Sequence, residues 1–181
     1  MGLVVIASNY LVQFPVTFYK LENLLTYGAF SYPITFLITD LANRAFGKKI
    51  ARYIVLIGFF IGIILTFFVS TNFEDIISVR IAIGSATAFL IAQNFDINIF
   101  DKLRDKTWYV APLTSSILGS VIDTLLFFSI AFYNTGLPWL TLALGDLSVK
   151  LIVALVMLIP FKLLVSKIND FKNLNLKNLN Y

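Results

Sequence analysis

Residues 53–71 read YIVLIGFFIGIILTFFVST, nineteen consecutive positions without a charged side chain. At 1.5 Å of rise per residue such a stretch makes a helix of about 28 Å, close to the thickness of a bilayer's hydrocarbon core. It is apolar on every face, so it has no side to turn towards water. Four neighbouring runs, at 24–42, 79–99, 108–133 and 139–161, have the same character, each with one or a few polar interruptions. A shorter run at 2–19 follows Met1 without a basic leader or a small-residue cleavage site, which reads as a retained span. The apolar runs are continuous and lack the ten-residue alternation of a membrane β-barrel. The expected fold is therefore all-α, a polytopic membrane protein of about six transmembrane helices.

Composition agrees. Of 181 residues, 59% are hydrophobic and 13% charged, about half the charged share of a soluble domain, and the mean hydropathy is +0.86. The domain reading is a six-helix transmembrane domain over 1–165 and a cytoplasmic tail over 166–181, rich in Asn, Lys and Leu. Arg44, Lys48, Lys49, Arg52, Lys102, Arg104, Lys106, Lys162, Lys167, Lys172 and Lys177 fall on one side of a six-helix arrangement. Lys20 and Arg80 fall on the other, and Lys150 lies within a span. Eleven against two is a strong positive-inside bias and places both termini in the cytoplasm. The net charge of +4 is accounted for by these loops, so direct nucleic-acid binding is not expected, whereas the lipid bilayer is.

The absences exclude whole classes of chemistry. With no cysteine and no histidine, thiolate nucleophiles, thiolate or imidazole metal ligands and the commonest general base are missing. No GxxxxGK[ST] phosphate loop is present, so this chain does not hydrolyse ATP by that route. No cofactor or metal is expected. Small residues at helical spacing (Gly58 and Gly62; Gly84, Ala88 and Ala92; Ser115 and Gly119; Ser116 and Ser120) allow close helix packing within the bundle.

The informative residues are polar groups inside the spans, where a charge costs roughly 2.5–3.5 kcal/mol on insertion scales. Ser116, Ser120 and Asp123 share one helix face, with Thr124 beside them. Asp146 and Lys150 stand four apart, suited either to mutual neutralisation or to a site. Asp40 precedes Arg44 at the same spacing; Gln93, Asn94, Asp96 and Asn98 crowd one helix end; Asn9 and Gln13 share a face. Tyr27, Phe30, Tyr32 and Trp108 can stack on a flat ring, although aromatic residues near span ends are more often interface anchors.

Five ordered segments carry a family likeness. They are SNYLVQFPV at 8–16; GAFSYP at 28–33 leading to Thr39-Asp40-Leu41 and Phe46-Gly47; Arg80-Ile81-Ala82 running through Gln93 to FDKLR at 100–104; Ala111-Pro112 leading to SVIDTL at 120–125 and Phe127-Phe128; and Asp146 followed by Lys150. Over residues 5–165 the chain resembles the bacterial queuosine-precursor transporter family, also grouped with vitamin uptake transporters. The resemblance implies a fold similar to the substrate-binding subunits of energy-coupling-factor transporters. It also implies import of a 7-deazaguanine, chiefly 7-cyano-7-deazaguanine, for salvage into queuosine-modified tRNA. Such a base offers adjacent N–H donors beside a carbonyl, which a carboxylate and an amide or ammonium can match. The substrate-binding candidates are then Asp123 on the donor edge, Gln93, Asn9 and Lys150 as further polar contacts, and Asp146 and Asp40.

Two other readings belong to different classes. A vitamin-binding subunit would need a separate ATPase module; the run of alanines at four-residue spacing that docks such subunits is missing from the first helix, so that partner is possible but not expected. An intramembrane enzyme would have to use a Ser/Lys pair or Asp40 with Asp123, and the expectation is that the chain is not an enzyme.

Overall fold

The structure, a computed structural model, describes residues 1–17, 25–71 and 73–178. Its described part is built from α1 (Gly2–Leu11), α2 (Gly28–Ser31), α3 (Pro33–Phe46), α4 (Lys48–Leu65), a π-helical turn at Thr66–Ser70, α5 (Ile76–Leu103), α6 (Val110–Phe132) and α7 (Trp139–Asn178). Four helical stretches are long and apolar enough to cross a membrane: Lys48–Phe68, Ile76–Leu103, Val110–Phe132 and Trp139–Ile168. The α1 and α2–α3 segments are shorter members of the same bundle. The chain is an all-α, multi-pass membrane protein.

Helix boundaries depart from the sequence expectations where local chemistry intervenes. The run expected over 2–19 stops at Leu11, because Pro15 lacks an N–H and disfavours helix in the residue before it. The chain then turns back, closed by Val16 N–H to Leu25 O at 2.9 Å and Tyr27 N–H to Phe14 O at 3.1 Å; the final two residues of the expected span, and Lys20, lie outside the described residues. The single helix expected over 24–42 is divided at Pro33, which occupies the first turn of α3. It runs on to Phe46 and stops at Gly47, whose φ of +84° suits glycine alone among common residues. The start of α5 lies three residues before the expected 79, because Asp75 caps it: its carboxylate accepts from Ile77 N–H at 3.0 Å and Ser78 N–H at 3.2 Å. Helix α7 continues across residue 165 to Asn178, so the tail expected over 166–181 begins as its extension.

Small residues set the packing. A Cβ on Gly58 would sit 2.7 Å from Met1 Cγ, and one on Gly62 would sit 3.2 Å from Val5 Cβ, so the GxxxG face of α4 is the groove that receives α1. A Cβ on Gly84 would approach the Phe127 carbonyl oxygen to 3.3 Å, which brings α5 and α6 backbone to backbone along the Gly84–Ala88–Ala92 ridge. These two helices form the broadest interface in the molecule. The small-residue ridges therefore serve contacts within the chain. One core cluster joins Val5, Phe36, Val55, Phe89 and Ile97; a second joins Ile81, Phe127, Phe128, Phe132 and Ala143; a third joins Phe100, Ala111 and Phe161. Ile57, Phe60, Ile61 and Ile64 of α4, with Ile152, Leu155, Ile159 and Leu163 of α7, remain exposed. An apolar exterior of this kind is what lipid accepts.

The basic residues gather at one end. Arg44 donates to the Arg104 carbonyl at 2.8 Å, Arg104 donates to Asn43 Oδ1 at 2.6 Å and Asp101 Oδ1 at 3.1 Å, and Arg52 donates to Asn98 Oδ1 at 3.0 Å. Lys48 stands 3.9 Å from Asp101, and Lys162 lies over the Trp108 ring at 4.9 Å. The α3–α4 and α5–α6 connections and the middle of α7 thus share one layer. Arg80 marks the opposite end, where it donates to the carbonyls of Ile130 and Tyr133 at 2.9 and 2.8 Å.

Candidate functional site

The polar stripe of α6 points into the bundle. Ser116, Ser120, Asp123 and Thr124 are all buried, as are Asp146 and Lys150 on α7. Their burial brings about a three-membered ion cluster. The Lys150 ammonium contacts Asp123 Oδ2 at 2.8 Å, Asp146 Oδ2, and Thr124 Oγ1 at 3.1 Å. Thr124 in turn donates to Asp146 Oδ2 at 2.8 Å. The i,i+4 pair expected from the sequence is present, but Lys150 is shared with Asp123 across helices. An ammonium has three protons, and three acceptors surround this one. Two carboxylates and one ammonium leave the cluster one negative charge in excess when all three are ionised.

That excess faces a small cavity of about 20 Å³, room for about one water molecule as it stands, so a larger ligand has to spread its walls. It is lined by Asp123, Lys150, Asp146, Tyr32, Asn9 and Ser85, with Ser8, Val12, Gly28 and Phe127 completing the wall. Within it, Asp123 Oδ1 and the Tyr32 hydroxyl are buried and face each other, with no other hydrogen-bond partner among the described residues. They give the cavity one charged acceptor and one group that both donates and accepts. Tyr32 also presents its ring to Lys150, with the ammonium 5.1 Å from the centroid. The opposite wall is held by Asn9, which donates to Thr66 Oγ1 at 3.1 Å and accepts from Ser85 Oγ at 2.6 Å. Gly28 makes the close approach of α1 and α2 possible: a Cβ there would lie 2.9 Å from the Ser8 carbonyl oxygen. A wider hollow of about 340 Å³, lined by Pro15, Thr26, Asp75, Phe132 and Leu137, shares Val12 with the cavity and lies on the side away from the basic layer.

Four of the six sequence candidates, Asp123, Lys150, Asp146 and Asn9, therefore meet around one cavity. Gln93 stands elsewhere. It is wholly buried, donates to Thr35 Oγ1 at 3.0 Å and accepts from Thr39, and so ties α5 to α3. Asp40 lines a second, smaller cavity of about 10 Å³ with Pro33, Phe36, Ser116, Ser120 and Phe161. Its oxygens accept from Ser115 and Ser116, both at 3.1 Å, and it faces Asp96. The pairing of Asp40 with Asp123 that an intramembrane aspartyl enzyme would need is not formed: each carboxylate has different partners. Of the aromatic candidates, Tyr32 enters the cavity, while Tyr27, Phe30 and Trp108 remain 41–49% exposed. Ser8 and Ser85 are cavity residues that the sequence does not mark for binding, since a lone serine among apolar residues gives no signal until a second helix faces it. Among the described residues no group of three or more acidic side chains could hold a metal ion.

The geometry presents a buried, polar-lined cavity as the candidate site of a multi-pass membrane protein. A family model described as "Putative vitamin uptake transporter" matches residues 26–165, and the chain belongs to this family of transporters. It is 32% identical to the protein named queuosine precursor transporter of Escherichia coli K12, over 96% of this chain and 88% of that protein. It is 35% identical to the one named probable queuosine precursor transporter of Haemophilus influenzae, over 87% of this chain and 79% of that protein. A Bacillus subtilis protein, also named probable queuosine precursor transporter, is 26% identical over 74% of this chain and 68% of its own length. No solved structure matches the chain.

Proposed function

We propose that the chain imports a queuosine precursor, a 7-deazaguanine of which 7-cyano-7-deazaguanine is the leading candidate, across a bacterial inner membrane for salvage into queuosine-modified tRNA. The observation that carries the reading is the buried Asp123 carboxylate, which faces the Tyr32 hydroxyl in a small cavity that Asn9 also lines. A deazaguanine's pyrimidine edge offers adjacent N–H donors, and an acceptor carboxylate in a low-dielectric pocket favours such an edge. The Tyr32 hydroxyl can donate to the neighbouring carbonyl or accept from a ring N–H. Lys150 holds Asp123 Oδ2 and Oδ1 faces the Tyr32 hydroxyl, so the part of Lys150 is to aim the carboxylate while Tyr32 yields Oδ1 to the ligand. The names of the relatives support the substrate class. The wider hollow on the side away from the basic layer supports entry from the outer face, with the basic layer and both termini cytoplasmic.

The test is salvage. A cell unable to synthesise queuosine precursors and lacking its own importer is given this gene and fed 7-cyano-7-deazaguanine or its aminomethyl relative. Queuosine in its tRNA is expected only when gene and base are both supplied. Absence of queuosine, with the protein abundant in the membrane, would refute the reading.

A further inference from the structure

The second buried carboxylate group has no counter-charge. Asp96 of α5 is fully buried, and neither of its oxygens meets a hydroxyl or N–H donor at hydrogen-bond geometry. It faces Asp40 of α3, itself 2% exposed, and Ser115 of α6. Ser115 has a single proton, within reach of Asp40 Oδ1 at 3.1 Å and the Pro112 carbonyl at 3.4 Å. Ser116 turns its own to Asp40 Oδ2. Asp123 and Asp146 in the first cavity, the upper one with that of Asp40 below it on the basic-layer side, differ in kind, because Lys150 lies between them.

Several cations of the packed elements are engaged elsewhere. On α3, Arg44 donates to the Arg104 carbonyl, and on α4, Lys48 pairs with Asp101 while Arg52 donates to Asn98. At the end of α5, Arg104 holds Asn43 and Asp101. On α7, Lys162 covers Trp108, and α6 brings only serine hydroxyls to this place. Among the described residues no cation forms an ion pair with Asp40 or Asp96. Two facing carboxyls buried without a cation cannot both ionise, and a proton held between them is the available neutraliser.

The position matters as much as the charge. Asp40 and Ser116 line the cavity on the basic-layer side, and Ser116 shares a face of α6 with Ser120 and Asp123. Phe36, packed against Gly119, lines the lower cavity, while Tyr32 lines the upper one. Tyr32 and Phe36 are one turn apart on the α2–α3 segment that Pro33 divides, so a shift of that segment alters both cavities together.

We infer that the chain is a proton-coupled carrier in which the Asp40–Asp96 pair holds the coupled proton, taken up from the outer face and released as H⁺ to the cytoplasm once per substrate imported. The inference rests on the import reading. Proteoliposomes containing the full chain separate the two. Counterflow of labelled 7-cyano-7-deazaguanine at equal pH on both sides needs only a carrier, whereas accumulation against a gradient needs the coupled proton. With the outside one pH unit more acidic, one proton per substrate allows about tenfold accumulation, since a tenfold proton ratio is about 1.4 kcal/mol. Wild type is expected to do both, with accumulation abolished by a protonophore. Asp96→Asn is expected to keep counterflow and lose accumulation; its counterflow also shows that it is folded. Counterflow with no response to the pH gradient would overturn the coupling and leave the import reading standing, while absence of counterflow in wild type would overturn import and the coupling with it. Infrared spectra at pH 7 read the proton without any transport. A protonated-carboxyl C=O band is expected in wild type and absent from Asp40→Asn/Asp96→Asn, and identical spectra would overturn the proposal.

Discussion

Asp123 divides its two oxygens between Lys150 and the Tyr32 side of the cavity, so Asp123→Asn tests the carboxylate while conserving shape. An amide has one acceptor oxygen and no charge, and loss of a charge-assisted contact costs roughly 1.5–3 kcal/mol, about ten- to a hundredfold in affinity. Uptake at subsaturating substrate is expected to fall by that factor with membrane abundance preserved; full uptake would assign Asp123 to structure. Lys150 is the opposite case. Lys150→Met leaves Asp123 and Asp146 facing each other without a cation, and a broken buried pair costs about 3–5 kcal/mol. Membrane abundance is expected to drop sharply, and Asp146→Asn/Lys150→Met to recover part of it. Immunoblotting of membranes alongside uptake separates assembly from binding. Should both variants match wild type in abundance, the ion cluster is not what holds α6 to α7.

At the scale of elements, Gly119 is where α6 receives a side chain of α3. A Cβ on Gly119 would come within 2.6 Å of Phe36 Cε1, and Phe36 is itself only 2% exposed. A buried ring has little room to give, and overpacking typically costs about 1–3 kcal/mol. Gly119→Val is therefore expected to lower the thermal unfolding midpoint of the detergent-purified protein, whereas Gly136→Ala, in a turn with open space around it, is expected to cost about 1 kcal/mol through its φ of +81° alone. Equal midpoints for Gly119→Val and wild type would show that α3 and α6 can separate freely. The N-terminus of α5 offers a milder test: Asp75→Ala removes two hydrogen bonds to backbone N–H groups and is expected to cost about 0.5–2 kcal/mol.

For the molecule as a whole, the basic layer fixes an orientation that can be checked. Lys48 and Lys106 belong to the connections on the basic side, while Gly136 lies in the connection between α6 and α7 at the opposite end. The protein has no native cysteine, so Lys48→Cys, Lys106→Cys and Gly136→Cys can each be labelled alone. A membrane-impermeant thiol reagent added to intact cells is expected to reach only Gly136→Cys. Labelling of Lys48→Cys from outside would invert the topology and, with it, the direction of entry through the wider hollow.

The sequence by itself determined the fold class, the approximate spans and the residues too costly to place in lipid without a purpose. Those properties follow from local composition: an uncharged run such as residues 53–71 has one low-energy environment, whatever its neighbours do. Asp123, Asp146, Lys150 and Asn9 were legible as candidates for that reason, and the Asp75 cap was equally present as a signal, although the apolar run at 79–99 drew the boundary later. Only the tertiary structure decided which polar groups meet. Spacing along one helix relates Asp146 to Lys150, but the contact of Lys150 with Asp123 crosses from α7 to α6, and that of Asp40 with Ser115 and Ser116 crosses from α3 to α6. The same holds for Gln93, which the structure uses as a clamp between α3 and α5. A buried polar side chain must find its partner from whichever helix faces it, and which helix faces it is set by the packing of Gly58, Gly62, Gly84 and Gly119 against their neighbours.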